Sequence, residues 1–276
     1  MSKLICEICP NHCQLDDQQT GFCHARSNID GKITSSNYGL ITSMALDPIE
    51  KKPLYNFCPG SMILSVGSYG CNFRCSFCQN YQISMADSKQ AQTNYITPYR
   101  LVKLAVSLKS QGNIGIAYTY NEPLIGYEFV MDCAQIAKLN DLKNVLVTNG
   151  YICAKPLKKI LPYIDALNID LKAFNEEFYR QINGDLDTVK QTIKLSAQSC
   201  HVEITTLIIP GENDSEEEIR ELSRWLSSIR PDIPLHLTRF FPRYQMTDRN
   251  PTDINKINAL ADVAREYLDH VYIGNC

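Results

Sequence analysis

The chain has 276 residues, 44% of them apolar, with a formal net charge of -3 and 12 cysteines. That length buries a full core and suits one barrel-sized domain with a small appendage. No apolar run approaches the roughly 18 residues of a membrane span, and the mild acidity leaves no electrostatic footprint for wrapping a phosphate backbone, so neither membrane nor nucleic acid is an expected partner.

Met1 to Cys6 lacks the apolar stretch of a signal peptide, so the expectation is a cytoplasmic protein whose cysteines bind metal and not one another. Cys6, Cys9, Cys13 and Cys23 follow at once, spaced C-x2-C-x3-C-x9-C. Four thiolates can close a site, as in a structural zinc or a saturated 4Fe-4S cluster, and a segment so poor in large apolar residues needs such a staple. The plain alternative is four free cysteines in a mobile tail. His12 and His24 are read as bystanders, because the cysteines already number four. Residues 27–44 suit a short hairpin or an extended wrap. Residues 46–57 are rich in charge and proline and read as a loop, with Glu50, Lys51 and Lys52 either a solvated face or part of a site. This gives an N-terminal Cys-rich segment and wrap over 1–60 and a core domain over 61–276.

The core opens with a strand at 62–66 closed by Gly67. Cys71, Cys75 and Cys78 then stand on one loop in the spacing C-x3-C-x2-C, with the aromatic Phe77 before the last. Three thiolates are one short of a closed site, and in iron-sulfur chemistry the open iron is where a substrate or cofactor coordinates. Three buried cysteines or a zinc loop remain the alternative.

Beyond Asn80, strands at 114–118, 144–147, 166–169, 202–208 and 235–240 alternate with helices at 101–108, 124–139, 187–197, 214–229 and a last one marked by Ile254, Ile257, Leu260, Ala264 and Leu268. Thr97 and Pro98 form a cap and first-turn pair. About six strand-helix units from residue 62 onward predict an α/β fold with a parallel sheet, two units short of a complete barrel. Reactive groups in such folds sit at the C-terminal strand ends. Candidates there are Asn121 and Glu122, Thr148 and Asn149, and Asp170 with Lys172, which alternation puts on one strand face. His236 and Arg239 on the sixth strand join them. Each has a plain reading as well: a helix-start carboxylate, a turn, an ion pair at a strand end, a satisfied core histidine. Cys58, Cys133, Cys153, Cys200 and Cys276 show no ligand spacing and are read as structural.

The three-cysteine loop with Phe77 before its third cysteine resembles the signature of the radical S-adenosylmethionine (SAM) superfamily. Leu46-Asp47-Pro48-Ile49-Glu50-Lys51-Lys52-Pro53-Leu54-Tyr55-Asn56-Phe57, then Pro59-Gly60-Ser61 leading into Cys71 to Asn80, is similar to the AmmeMemoRadiSam-system enzymes, a branch labelled pyruvate formate-lyase activating enzyme-like. Relatives more usually carry histidine in place of Asn56. The resemblance covers most of the chain and implies a partial (β/α)6 TIM-type barrel. It implies an enzyme in which Cys71, Cys75 and Cys78 hold a 4Fe-4S cluster that cleaves SAM to methionine and a 5'-deoxyadenosyl radical. That radical would abstract hydrogen from a small molecule or a glycyl radical enzyme. Glu122 takes the place of the last residue of a Gly-Gly-Glu segment that contacts the SAM amino group, with Tyr120 and Asn121 replacing the glycines. Thr148 and Asn149 correspond to ribose or carboxylate contacts, and Asp170 and Lys172 to the SAM site; Phe77, Asn121, His236 and Arg239 complete the expected cofactor set. Implied partners are SAM, a low-potential donor such as flavodoxin or ferredoxin, and MEMO-type and AMMECR-type proteins. The rival is a non-catalytic electron-transfer protein with two clusters and no SAM pocket.

Overall fold

The computed structural model describes residues 3–275; Cys276, one of the cysteines read as structural, lies outside them. The N-terminal segment is built from short pairs. Strand β1 (Leu4–Ile5) pairs with β2 (Gln14–Leu15), and β3 (Arg26–Ile29) with β4 (Lys32–Ser35) in the expected hairpin. After β5 (Leu40–Ile41) comes a correction: the stretch read as a loop begins inside a strand, β6 (Ser43–Pro48), which pairs antiparallel with β7 (Met62–Gly67). Pro48 is tolerated because it is the last residue of an edge strand, where no further ladder bond is required of it.

Then follow α1 (Tyr81–Ser84), β8 (Asn94–Tyr95), α2 (Pro98–Ser107), β9 (Asn113–Tyr118), α3 (Tyr127–Lys138), β10 (Lys143–Thr148), α4 (Ala154–Ile160) and β11 (Ala166–Asp170). The chain continues through α5 (Glu176–Gln181), α6 (Leu186–Ala197), β12 (His201–Ile208), α7 (Glu216–Ile229), β13 (Leu235–Arg239), α8 (Ile254–Arg265) and β14 (Val271–Gly274). The main sheet runs β6-β7-β9-β10-β11-β12-β13-β14, parallel from β7 onward. Six strand-helix units therefore form the partial barrel, as expected, and β6 and β14 add an edge strand at each side.

Local chemistry sets the helix ends. Thr97 Oγ1 accepts from Arg100 N at 3.3 Å with Pro98 in the first turn of α2, and Ser215 Oγ accepts from Glu218 N at 3.2 Å ahead of three first-turn glutamates in α7. Helix α3 starts later than its apolar stripe suggests, because Pro123–Gly126 first forms a 3-10 turn capped by Glu122.

Helices cover the outer sheet face through residues such as Leu101, Cys133, Leu157, Ile193, Leu222 and Leu260. Inside the barrel, Ile63, Ala117, Val145 and Ala166 from successive strands meet Ile49 and Leu54. The N-terminal strand end is then sealed by a buried charge. Glu203 accepts from Tyr55 N (3.0 Å) and Asn56 N (2.8 Å) and pairs with His201 Nε2 (2.8 Å) and His236 Nε2 (2.6 Å), while Tyr272 Oη donates to Asn56 Oδ1 at 2.6 Å. Burial raises the Glu203 pKa, but these donors outweigh it and hold the carboxylate at about 2.

Candidate functional site

The opposite, C-terminal end of the strands is open. A cleft of about 460 Å³ lies there, lined by Cys71, Cys75 and Cys78 together with Phe77, Glu122, Thr148, Asn149, Asp170 and Lys172. This volume falls within the roughly 300–1,000 Å³ of small-molecule sites. A larger depression of about 650 Å³ lies at the other strand end, lined by residues such as Lys158, Asp165 and Cys200, with no converging set of metal ligands.

The cysteine loop is held from beneath. Asn121 Oδ1 accepts from Ser68 N (2.9 Å), and its Nδ2 donates to Tyr69 O (3.2 Å) and Gly70 O (3.1 Å), so Asn121 braces the loop. Tyr120 makes the turn at φ +71°, a conformation costly for an aromatic residue and free only for glycine. It is fixed there by Asn80 Nδ2 donating to its carbonyl (2.7 Å) and by its own hydroxyl donating to Asp47 Oδ2 (3.1 Å). Gly67 opposite is obligatory, since a Cβ on it would stand 2.8 Å from Tyr120 Cβ.

Around the thiols the groups are complementary to negative charge. Phe73 N donates to Cys71 Sγ at 3.4 Å, and Asn149 Nδ2 stands 3.7 Å from the same sulfur while donating to Asn72 Oδ1 at 2.8 Å. Lys172 and Asp170 form a 2.8 Å ion pair. Burial alone pulls Lys172 down, yet Asp170, Cys75 and Cys78 together hold it above its ordinary value. Burial pushes Cys75 up to about 12 against the pull of Lys172, and Cys71 well above its usual range with Glu122 and Cys75 adding to it. Thiols that resist ionising this strongly become thiolates once a metal takes the charge. The donor set fits a cubane with three anchored irons and a fourth left open.

Glu122 is the most heavily used group. Its carboxylate accepts from Leu124 N (2.9 Å), Thr148 Oγ1 (2.8 Å) and Asn149 N (2.8 Å), and burial raises its pKa to about 7 despite these bonds. Three of the roughly four acceptor positions of a carboxylate are thus taken, leaving one for a ligand.

Two expected cofactor residues are not brought to the cleft. His236 is buried at the far end of the barrel against Glu203, because it is the second residue of β13 and not near its end. Arg239 does sit at the strand end, but Thr238 lines the cleft and alternation turns Arg239 away, where its Nε donates to Thr252 O at 2.7 Å. Conversely, the charged stretch left open between surface and site contributes Lys52 to the cleft lining. Lys52 is 4% exposed and pairs with Asp47 at 3.0 Å, and its ammonium lies 5.0 Å from the Tyr120 ring centroid. The signal for it was weak, since Asp47 and Lys52 meet only across the turn at Ile49–Lys51.

Residues 65–223 match the family described as the Radical SAM superfamily, more than half of the chain. An uncharacterized Methanocaldococcus jannaschii protein, MJ0808, is 40% identical over 99% of this chain and 82% of its own length. The pyruvate formate-lyase-activating enzyme of Clostridium pasteurianum is 26% identical over 58% of this chain and 68% of its own. A solved radical SAM methyltransferase from Sphaerobacter thermophilus shares the fold with a TM-score of 0.60 at 18% identity, over 79% of this chain and 67% of that one. The chain belongs to the radical SAM superfamily, as an enzyme related to the activating enzymes, with a 4Fe-4S cluster and SAM as cofactors.

Proposed function

We propose that Cys71, Cys75 and Cys78 anchor the 4Fe-4S cluster, that the cleft beside them holds SAM, and that the enzyme abstracts hydrogen from a donor at the cleft mouth. The observation that carries this reading is the convergence of the three thiols with Glu122, Asn149, Asp170 and Lys172 in one ligand-sized cleft. When bound, the cluster and SAM supply reductive cleavage to methionine and a 5'-deoxyadenosyl radical. Asp170 and the remaining acceptor position of Glu122 face the cleft as partners for the SAM ammonium, and Lys172 for its carboxylate. Asn149 and Phe73 N steady Cys71, and Phe77 and Phe73 give the cleft a dry wall that excludes water from a reactive intermediate.

The activating-enzyme relatives favour a glycyl radical enzyme as hydrogen donor, with a small molecule as the second reading, supported by similarity to GTP 3',8-cyclase of Haemophilus influenzae at 26% identity. A flavodoxin or ferredoxin as reductant and MEMO-type and AMMECR-type partners belong to the same proposal and rest on the sequence resemblance, and a cytoplasmic location belongs to it on the lack of a signal-peptide stretch at the N-terminus. The division into a metal-binding segment and wrap over 1–60 and a core over 61–276 is part of the proposal too and rests on chain length and cysteine spacing, with β6 as the strand the wrap lends to the sheet.

Anaerobic incubation of the reduced, iron-loaded protein with SAM tests the function. Release of 5'-deoxyadenosine and methionine is expected. A protein that takes up and donates electrons but leaves SAM intact would be the electron carrier instead.

A further inference from the structure

Away from the cleft, Cys6, Cys9 and Cys23 are buried, Cys13 is half-buried, all four are free thiols, and with Arg26 and Ile125 they line one small closed pocket. The backbone is folded around it. Cys6 N donates to Cys13 O (3.0 Å) and His12 N to Cys9 O (3.1 Å), with His12 at φ +40° and His24, after Cys23, at φ +63°. At Gly21 a Cβ would stand 3.3 Å from Cys13 Sγ, so the glycine leaves the sulfur its space.

Arg26 supplies an independent observation. Its two Nη atoms clamp Glu128 at 2.8 Å each, and Nη1 also donates to Ile125 O at 3.1 Å, which leaves Nε buried on the pocket wall near Cys6 with no acceptor within hydrogen-bond distance. A buried guanidinium N–H in want of an acceptor calls for a negatively charged group in the pocket. Neutral thiols are poor acceptors and do not provide one. Metal-bound thiolates and sulfides do.

Residues 70–74 touch both sides: Cys71 and Phe73 line the cleft, and Gly70 and Asn72 meet residues of the Cys6 pocket. Gly70 adopts φ +87°, and a Cβ on it would lie 2.3 Å from Cys23 O. Asn72 Oδ1 accepts from the Asn149 amide that borders Cys71, and Asn72 O accepts from Nδ2 of Asn11, a residue of the pocket wall, at 3.5 Å. Arg74 Nη1 donates to Cys71 O at 2.8 Å, while Nη2 donates to Phe22 O and stands 3.2 Å from His24 Nε2.

We propose that Cys6, Cys9, Cys13 and Cys23 hold a closed 4Fe-4S cluster, with Arg26 Nε as a donor to it, and that this cluster feeds electrons through residues 70–74 to the one on the Cys71 loop. The second half rests on the reading that Cys71, Cys75 and Cys78 carry the catalytic cluster. Among the described residues no three of His, Cys, Asp and Glu are grouped tightly enough to hold a single metal ion. A cubane places each thiolate on a different iron and so accepts a wider set, whereas four sulfurs on one zinc crowd around it at about 2.3 Å. One electron from a reduced flavodoxin- or ferredoxin-type donor takes the N-terminal cluster from 2+ to 1+; passing that electron on returns it to 2+, with no bond formed or broken and no proton carried.

Iron and zinc analysis of anaerobically reconstituted wild type and of the triple variant Cys71→Ala, Cys75→Ala, Cys78→Ala separates the two sites. The expected contents are about eight irons and about four, without zinc. About four irons in the wild type and none in the variant overturns the second cluster and leaves the cleft reading standing. About four in both supports the second cluster and overturns the cleft reading. About one zinc in the variant, in place of iron, overturns the cluster in favour of a staple. For the relay, the double variant Cys9→Ala, Cys13→Ala is expected to accept electrons from reduced flavodoxin at least tenfold more slowly at the Cys71 cluster, yet at an unchanged rate from a small photoreduced dye. Equal rates with flavodoxin, or equal losses with both donors, overturn the relay. Should that variant also lose the Cys71 irons, electron paramagnetic resonance of fully reduced wild type decides. Magnetically coupled signals support two neighbouring clusters joined through residues 70–74, and two independent signals contradict the relay.

Discussion

The two ends of the barrel both bury charge, and they do opposite things with it. At the N-terminal end Glu203 is fully buried and fully engaged, with two backbone N–H groups and two histidines around one carboxylate. All four acceptor positions of that carboxylate are taken, and the group of side chains around it plugs the barrel. At the C-terminal end Asp170 and Lys172 hold each other but face a cleft, Glu122 keeps one acceptor position, and three thiols on one loop line the same cleft. A buried charge by itself therefore does not mark a site; unfilled bonding capacity facing a cavity does.

The sharpest way to break this contrast is at the thiols. Cys71→Ser, Cys75→Ser or Cys78→Ser should each abolish release of 5'-deoxyadenosine, because two thiolates leave the cluster too few anchors to persist. Full product yield with full iron content in any one of them would remove the metal from the C-terminal end.

At the other end, Glu203→Ala should cost about 3–5 kcal/mol of stability in chemical denaturation, since it strands two histidines and two backbone donors in the plug. SAM affinity of the folded protein should not change. Weakened SAM binding at unaltered stability would make the plug part of the site.

Acid should find the same end. The Glu203 pKa is depressed from an ordinary 4.5 to about 2, so its contribution is fully present above pH about 4.5 and is lost as pH falls towards 2. The loss amounts to roughly 3 kcal/mol, and Glu203→Gln should flatten that part of the stability profile. An unchanged slope in the variant would mean that the carboxylate is not what titrates.

A smaller effect is expected from Asp170→Ala, about a ten- to hundredfold weaker binding of SAM, the range for one hydrogen bond to a charged group. Iron content should be spared. Loss of iron at unaltered SAM affinity would give Asp170 a structural role at the Cys71 loop.

Much of the C-terminal end was legible in the sequence, because three closely spaced cysteines and a polar pair at a strand end are local patterns. Asp170 and Lys172 share a face by alternation alone, and the six strand-helix units follow from apolar periodicity. What alternation cannot say is which end of the barrel a residue occupies. The needed signal was nonetheless present for His236, the second residue of β13, whereas Asp170 closes β11. Arg239 failed for the complementary reason, since it is at the right end and on the wrong face. Glu203 was invisible, because its partners Tyr55, Asn56, His201 and His236 gather only when the Leu54 segment folds under the sheet. Strand β14, four residues long, is too short for periodicity to register.

The central claim is that cluster and SAM meet at the open end of the barrel on the Cys71 loop. Electron-nuclear double resonance of the reduced protein with SAM carrying 15N in its amino group tests it directly. A 15N coupling to a cluster signal that disappears in the Cys71→Ala, Cys75→Ala, Cys78→Ala variant is the predicted result. No coupling in the wild type, or one that survives in the variant, would contradict it.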